Sequence, residues 1–129
     1  MRRSIYFQLL YFNIKNIYME INEYQRQAMT TRTPDTYDEG NKIIYPTLGL
    51  TGEAGEVAEK VKKVLRDMKG YFNDSRRTDI ALELGDVVWY AAALAADLGY
   101  TLEDICQMNL GKVFSRKERN QIHGSGDHR

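Results

Sequence analysis

One cysteine, two prolines and two histidines are all that this 129-residue chain holds of the residues that most often staple, break or catalyse. A lone Cys106 excludes an intramolecular disulfide and a cysteine-based zinc site, and it suits a reducing cytoplasm. Prolines stand only at Pro34 and Pro46, so long helices are allowed. His123 and His128 both fall in the C-terminal tail. The body of the chain therefore lacks the base of a Ser-His-Asp or Cys-His site and the Glu-x-x-His pairs of a di-iron bundle. An excess charge of either sign is missing too: 18 Lys+Arg balance 18 Asp+Glu. That balance excludes a strongly basic surface for polymeric nucleic acid and leaves a nucleotide-sized ligand open. No apolar run approaches the ~18–20 residues of a membrane span. The best, Val87 to Ala96, is about half that length.

The first eighteen residues, MRRSIYFQLLYFNIKNIY, imitate a signal peptide only superficially. Gln8, Asn13, Lys15 and Asn16 interrupt the apolar stretch, and no small-residue cleavage site follows. From Met19 the text becomes MEINEYQRQAMTTRT, an amphipathic helix start. Met19 is therefore expected to be the true initiator, with residues 1–18 an extension and residues 19–129 the domain. The mass of the native chain checks this.

Four helices are predicted, with no strand: the β-prone run Ile43–Tyr45 is too short and reads as a loop or helix start. The first covers about Ile21–Thr31, and RTPDTYDEGN follows as a turn-rich link. The second starts near Pro46 and ends at Lys69–Gly70, a glycine stop. Its expected core stripe is Ala54, Val57, Val61, Val64 and Met68. The third is predicted over Thr78–Leu98, stopped by Gly99. The fourth covers Leu102 to about Arg119, with Thr101 as N-cap, Asp104 at N3 and a break near Gly111. The fold class is all-α, a bundle of about four main helices.

The informative feature is the placement of acids. Glu53 and Glu56 are three apart on the second helix, and Glu83 and Asp86 three apart on the third. At ~100° per residue each pair lies within about 60° on one face. A glycine-bounded link between the helices lets them fold back antiparallel, so four carboxylates can converge. Such a set suits the hard cations Mg²⁺ or Mn²⁺. Acids on helices usually form a solvated face, and Glu59, opposite the core stripe, is such a case. The third helix differs. Ile80, Leu84, Val87, Val88, Ala91, Ala95 and Leu98 form one apolar face, and Leu82, Trp89 and Ala93 make the other side apolar too. The only polar stripe is Glu83, Asp86, Tyr90 and Asp97. A helix so apolar should be buried, and acids on it then need a cation or a donor. Gly49, Gly52 and Gly55 lack the lysine of a phosphate-binding loop and read as sites of close helix approach. Basic residues follow both acid pairs. Most read as solvated charges near helix C-termini, though one or two can face phosphate oxygens.

These segments resemble the MazG-like family of nucleoside triphosphate pyrophosphohydrolases, of an all-α superfamily shared with dimeric dUTPases. The likeness runs through EYQRQAMTTRT, GLTGEAGEVAEKVKK, ELGDVVWY and the C-terminal LGYTLEDICQMNLGKVFSRKERNQIHGSGDHR, and covers about Met19 to Arg129. The family's Glu-x-x-Glu and Glu-x-x-Asp motifs read here Glu53-x-x-Glu56 and Glu83-x-x-Asp86. The resemblance implies Mg²⁺-dependent cleavage between the α and β phosphates, with Mn²⁺ a substitute. It implies metal binding by Glu53, Glu56, Glu83 and Asp86, with Glu56 assigned as general base by its position. It places Tyr90, Asn109 and Lys112 on phosphates, with Lys63 or Arg66 as further candidates and Gln25 or Trp89 against the base. It also implies self-association as a dimer or tetramer. The apolar surplus of the third helix is compatible with that. A non-catalytic helical-bundle interaction protein that keeps the acidic metal site is the competing class. A metal requirement separates the two.

Overall fold

The computed structural model describes residues 19–33 and 42–126. The expected extension 1–18, residues 34–41 of the turn-rich link and the last three tail residues lie outside the described residues. Helices α1 (Ile21–Thr30), α2 (Ile44–Met68), α3 (Asp74–Asp97) and α4 (Leu102–Glu118) follow in chain order. Among the described residues there is no strand, and no helix is long and apolar enough to cross a membrane.

Helix α2 begins at Ile44, with Pro46 in its first turn, where the absent N–H would have had no intrahelical partner. It ends in two successive left-handed residues, Lys69 (φ 50°) and Gly70 (φ 80°). The Gly70 N–H reaches back to the Val64 carbonyl at 3.2 Å, closing the helix end and reversing the chain. Helix α3 starts four residues earlier than predicted, at Asp74 rather than Thr78. The cause is Asn73, whose side chain accepts from the Arg76 N–H at 2.9 Å, with Asp74 adding negative charge to the first turn. The polar stretch taken for a link is thus a capped helical turn.

The short corner between α3 and α4 turns on Gly99 (φ 80°). Helix α4 opens with a reciprocal cap: the Asp104 N–H donates to Thr101 Oγ1 at 3.1 Å, and the Thr101 N–H donates to Asp104 Oδ2 at 2.9 Å. The Thr101 hydroxyl also donates to Asp104 Oδ2, at 2.7 Å, and this bond, with that of the Thr101 N–H, holds the Asp104 carboxyl below its ordinary range. The predicted break near Gly111 is absent, and α4 runs unbroken to Glu118. A mid-helix glycine costs only about 1 kcal/mol relative to alanine, too little to end a capped helix.

The long α2 and α3 pack against each other along most of their length, and α1 lies across α3 and the start of α4. The core at that crossing is Ala92, Ala95 and Leu102, with Tyr24 and Met29 packed on it. At its centre sits one polar side chain, Gln25, only 8% exposed. Its amide donates to the Ala92 carbonyl (3.1 Å) and the Tyr100 carbonyl (3.2 Å), and its oxygen accepts from the Leu102 N–H (2.9 Å). Both donors and the acceptor are used, so Gln25 fastens α1 to the α3–α4 corner and is not available to a nucleobase. Nearby, Arg32 forms a two-pronged ion pair with Asp97, at 2.8 and 2.9 Å.

Of the expected α2 stripe, Val64 is buried, Val57, Val61 and Met68 are half-buried, and Ala54 is exposed. Leu82, Leu84 and Val88 of α3 and Leu98 at its C-cap are exposed, as are Met108, Leu110, Val113 and Phe114 of α4. Among the described residues, much apolar surface is therefore uncovered.

Replacing Gln25 by Ala removes three hydrogen bonds and leaves buried backbone groups unpaired. The expected loss is about 2–4 kcal/mol. Denaturant unfolding checks it; Gln25→Glu, which sets a carboxylate against the Ala92 and Tyr100 carbonyls, should cost at least as much at neutral pH.

Candidate metal centre

The packing of α2 on α3 brings the two acidic motifs to one place. Glu53, Glu83 and Asp86 each offer an oxygen, and these oxygens all lie within 4.8 Å of one another. Glu53 and Glu83 are half-buried and Asp86 is exposed. Glu56, the fourth predicted ligand, is exposed and stands outside this group, though its charge still acts on Glu53. The Glu53 carboxyl is pushed above its ordinary value, first by partial burial, then by repulsion from Asp86, Glu83 and Glu56. Such a set of hard oxygens with surplus negative charge fits Mg²⁺ or Mn²⁺.

One cation already touches the cluster. The Lys60 Nζ lies 2.8 Å from Glu83 Oε1, with the two side chains 32% and 20% exposed. The bond to Glu83 holds the ammonium above its ordinary value, helped by Asp79 and Glu56. Lys60 is not singled out by the sequence among the basic residues after the acid pairs, most of which read as solvated charges. Its spacing, four after Glu56 and seven after Glu53, puts it on the acidic face and was the available signal.

Tyr90 borders the same site. Its hydroxyl is shifted up by burial, by a hydrogen bond with Tyr45 and by Glu53 and Asp86, so it keeps its proton. Its ring lies close against Gly49, where any Cβ would collide with it. The glycine spacing thus marks close approach at Gly49, whereas Gly52 and Gly55 face open space. Trp89 meets Tyr90 edge-on, with ring centroids 5.0 Å apart, and its indole N–H donates to Thr31 Oγ1 at 2.9 Å. These residues, with Arg32, Tyr45 and Pro46, line a cleft of about 120 Å³. Tyr90 is common to the cleft and the surroundings of the cluster. Tyr24, on α1, also senses Asp86, although burial is the larger cause of its upward shift.

The remaining predicted residues stand apart. Lys63 pairs with Glu59 at 3.7 Å, and Arg66 pairs with Asp67 at 2.6 Å. Asn109 and Lys112 are exposed on α4. Asp97, in register with the acidic stripe of α3, is engaged by Arg32 and is no part of the cluster.

Residues 46–120 match the MazG nucleotide pyrophosphohydrolase domain. The chain belongs to that family. The matched span holds all four motif acids of α2 and α3. The MazG-family chain is also similar to a protein of Mycobacterium phage L5 described as gene 37 protein, 54% identical over 87 residues, which are 67% of this chain and 76% of that one. No solved structure matches it significantly. The all-α architecture and the paired acidic motifs agree with membership.

Removing one charge from the cluster tests the repulsion. With metal chelated, Glu53→Gln is expected to raise the melting temperature by about 1–4 °C. The native state holds the Glu53 proton more tightly than the unfolded chain, so the penalty is full above the raised value and gone below the ordinary 4.5. The advantage of the variant should therefore shrink as pH falls from neutral through that window. Melting curves at several pH values measure it.

Proposed function

We propose that this protein hydrolyses nucleoside triphosphates between the α and β phosphates, giving a nucleoside monophosphate and pyrophosphate, in a Mg²⁺-dependent reaction. The observation that carries this reading is the convergence of Glu53, Glu83 and Asp86 from two packed helices in a MazG-family chain. These three residues would hold Mg²⁺, with Mn²⁺ a substitute, and Glu56 would join them or act beside them. The bound ion offsets triphosphate charge and orients water. Glu56, exposed next to the cluster, is the general base and takes the proton of the attacking water. The Tyr90 hydroxyl, held protonated, donates to a phosphate oxygen. Trp89 and Tyr45, in the adjoining cleft, face the nucleoside. Asn109 and Lys112 bind phosphate from α4, with Lys63 or Arg66 as outer cations once their exposed, weak ion pairs open.

The uncovered apolar residues of α3 and α4 support a homodimer or tetramer in which a second copy covers them. Free nucleotides, rather than polymeric nucleic acid, are the partners, and the cytoplasm is the compartment.

Pyrophosphate release from a panel of ribo- and deoxyribonucleoside triphosphates, with and without Mg²⁺, tests the reaction. Release is expected only with metal, and Glu56→Ala should lower it by about 10²–10⁴-fold. Asp86→Ala should abolish the rise in melting temperature that Mg²⁺ gives the native protein. A folded protein that releases no pyrophosphate from any nucleotide overturns the reading. Light scattering is expected to give a dimer or tetramer, and Leu84→Glu together with Val88→Glu should shift it toward monomer.

A further inference from the structure

The acidic centre contains one positive charge of its own. Lys60 lies one turn beyond Glu56 on α2, and its Nζ takes one oxygen of Glu83 at 2.8 Å, within electrostatic reach of Glu56 and Asp79. Glu83 is also one of the three residues whose oxygens converge. An ammonium and a divalent ion would therefore share a single carboxylate. We propose that Lys60 is a built-in counter-ion, which stabilises the carboxylate cluster when it holds no metal and thereby weakens its affinity for divalent cations. The inference rests on the metal reading above.

Two effects point the same way. Without metal, the ammonium neutralises part of a charge that would otherwise repel itself, so the metal-free protein gains stability. With metal, the ammonium repels a second cation across the same carboxylate. Each effect narrows the free-energy difference between metal-free and metal-bound protein, and that difference is the affinity. A lysine that merely oriented Glu83 for the ion would do the reverse, because its loss would weaken binding. The partial exposure of both side chains keeps the effect moderate. A centre tuned in this way favours metal that arrives already bound to a triphosphate over tight binding of the free ion.

The test is calorimetric titration of the full-length, metal-free protein with Mn²⁺, on wild type, Lys60→Met and Lys60→Arg. Lys60→Met is expected to bind Mn²⁺ about 3–10-fold more tightly. Lys60→Arg, which keeps the charge, should stay within about twofold of wild type. Thermal melting supplies a second readout: Lys60→Met should melt lower than wild type without metal and show a larger gain on adding Mn²⁺. If Lys60→Met does not fold without metal, Lys60→Gln, which keeps a donor to Glu83 and removes the charge, is titrated in its place with the same expected tightening. Unchanged or weaker Mn²⁺ binding in the uncharged variant overturns the inference while leaving the metal centre standing. Absence of Mn²⁺ binding by wild type at millimolar concentration overturns both.

Discussion

Like charges held close on a packed scaffold are the constraint around which this molecule is arranged. Three carboxylates whose oxygens lie within 4.8 Å of one another would separate if they were free to do so. They are kept together because α2 and α3 pack along most of their length, and the two-residue left-handed reversal at Lys69 and Gly70 returns the chain antiparallel. The repulsion shows in the upward shift of Glu53 and is partly offset by Lys60. Repulsion of the kind that raises Glu53 would be relieved by a cation, in keeping with the proposed metal centre.

The scaffold that bears this cost is economical. The inner core is small, built on alanines of α3 and on Leu102, and one buried carboxamide does much of the joining. Alanines let α1 approach α3 closely enough for Gln25 to reach two carbonyls and one N–H at the α3–α4 corner. The Arg32–Asp97 pair reinforces the same crossing. Two residues that look available for ligand chemistry, an amide on α1 and an acid on α3, are instead spent on holding helices together. Polar groups so deep are tolerated because each hydrogen-bonding atom of Gln25 has a partner.

The four helices of the described residues and the acidic motifs were legible in the text because each depends on local chemistry. Periodicity marked α2 and α3, Gly99 and Thr101 marked the corner, and the i, i+3 spacing of the acids placed each pair on one face. Boundaries were less legible. Asn73 outweighed the polar composition that argued for a link before Thr78, and the strong cap at Thr101 carried α4 past Gly111. Burial was overestimated on α3, because apolar character all round a helix does not say which of its sides a neighbouring helix covers.

By itself, the sequence determined the all-α class, the identity of the acids and their grouping in two pairs, since these follow from residue type and from the 3.6-residue turn. Only the tertiary structure decided that Glu53, Glu83 and Asp86 meet while Glu56 stands aside, that Lys60 belongs to the acidic face, and that Gln25 is a fastener. Those outcomes depend on the register between α2 and α3 and on where α1 crosses them. Such register is a property of packed pairs, and no single helix encodes it.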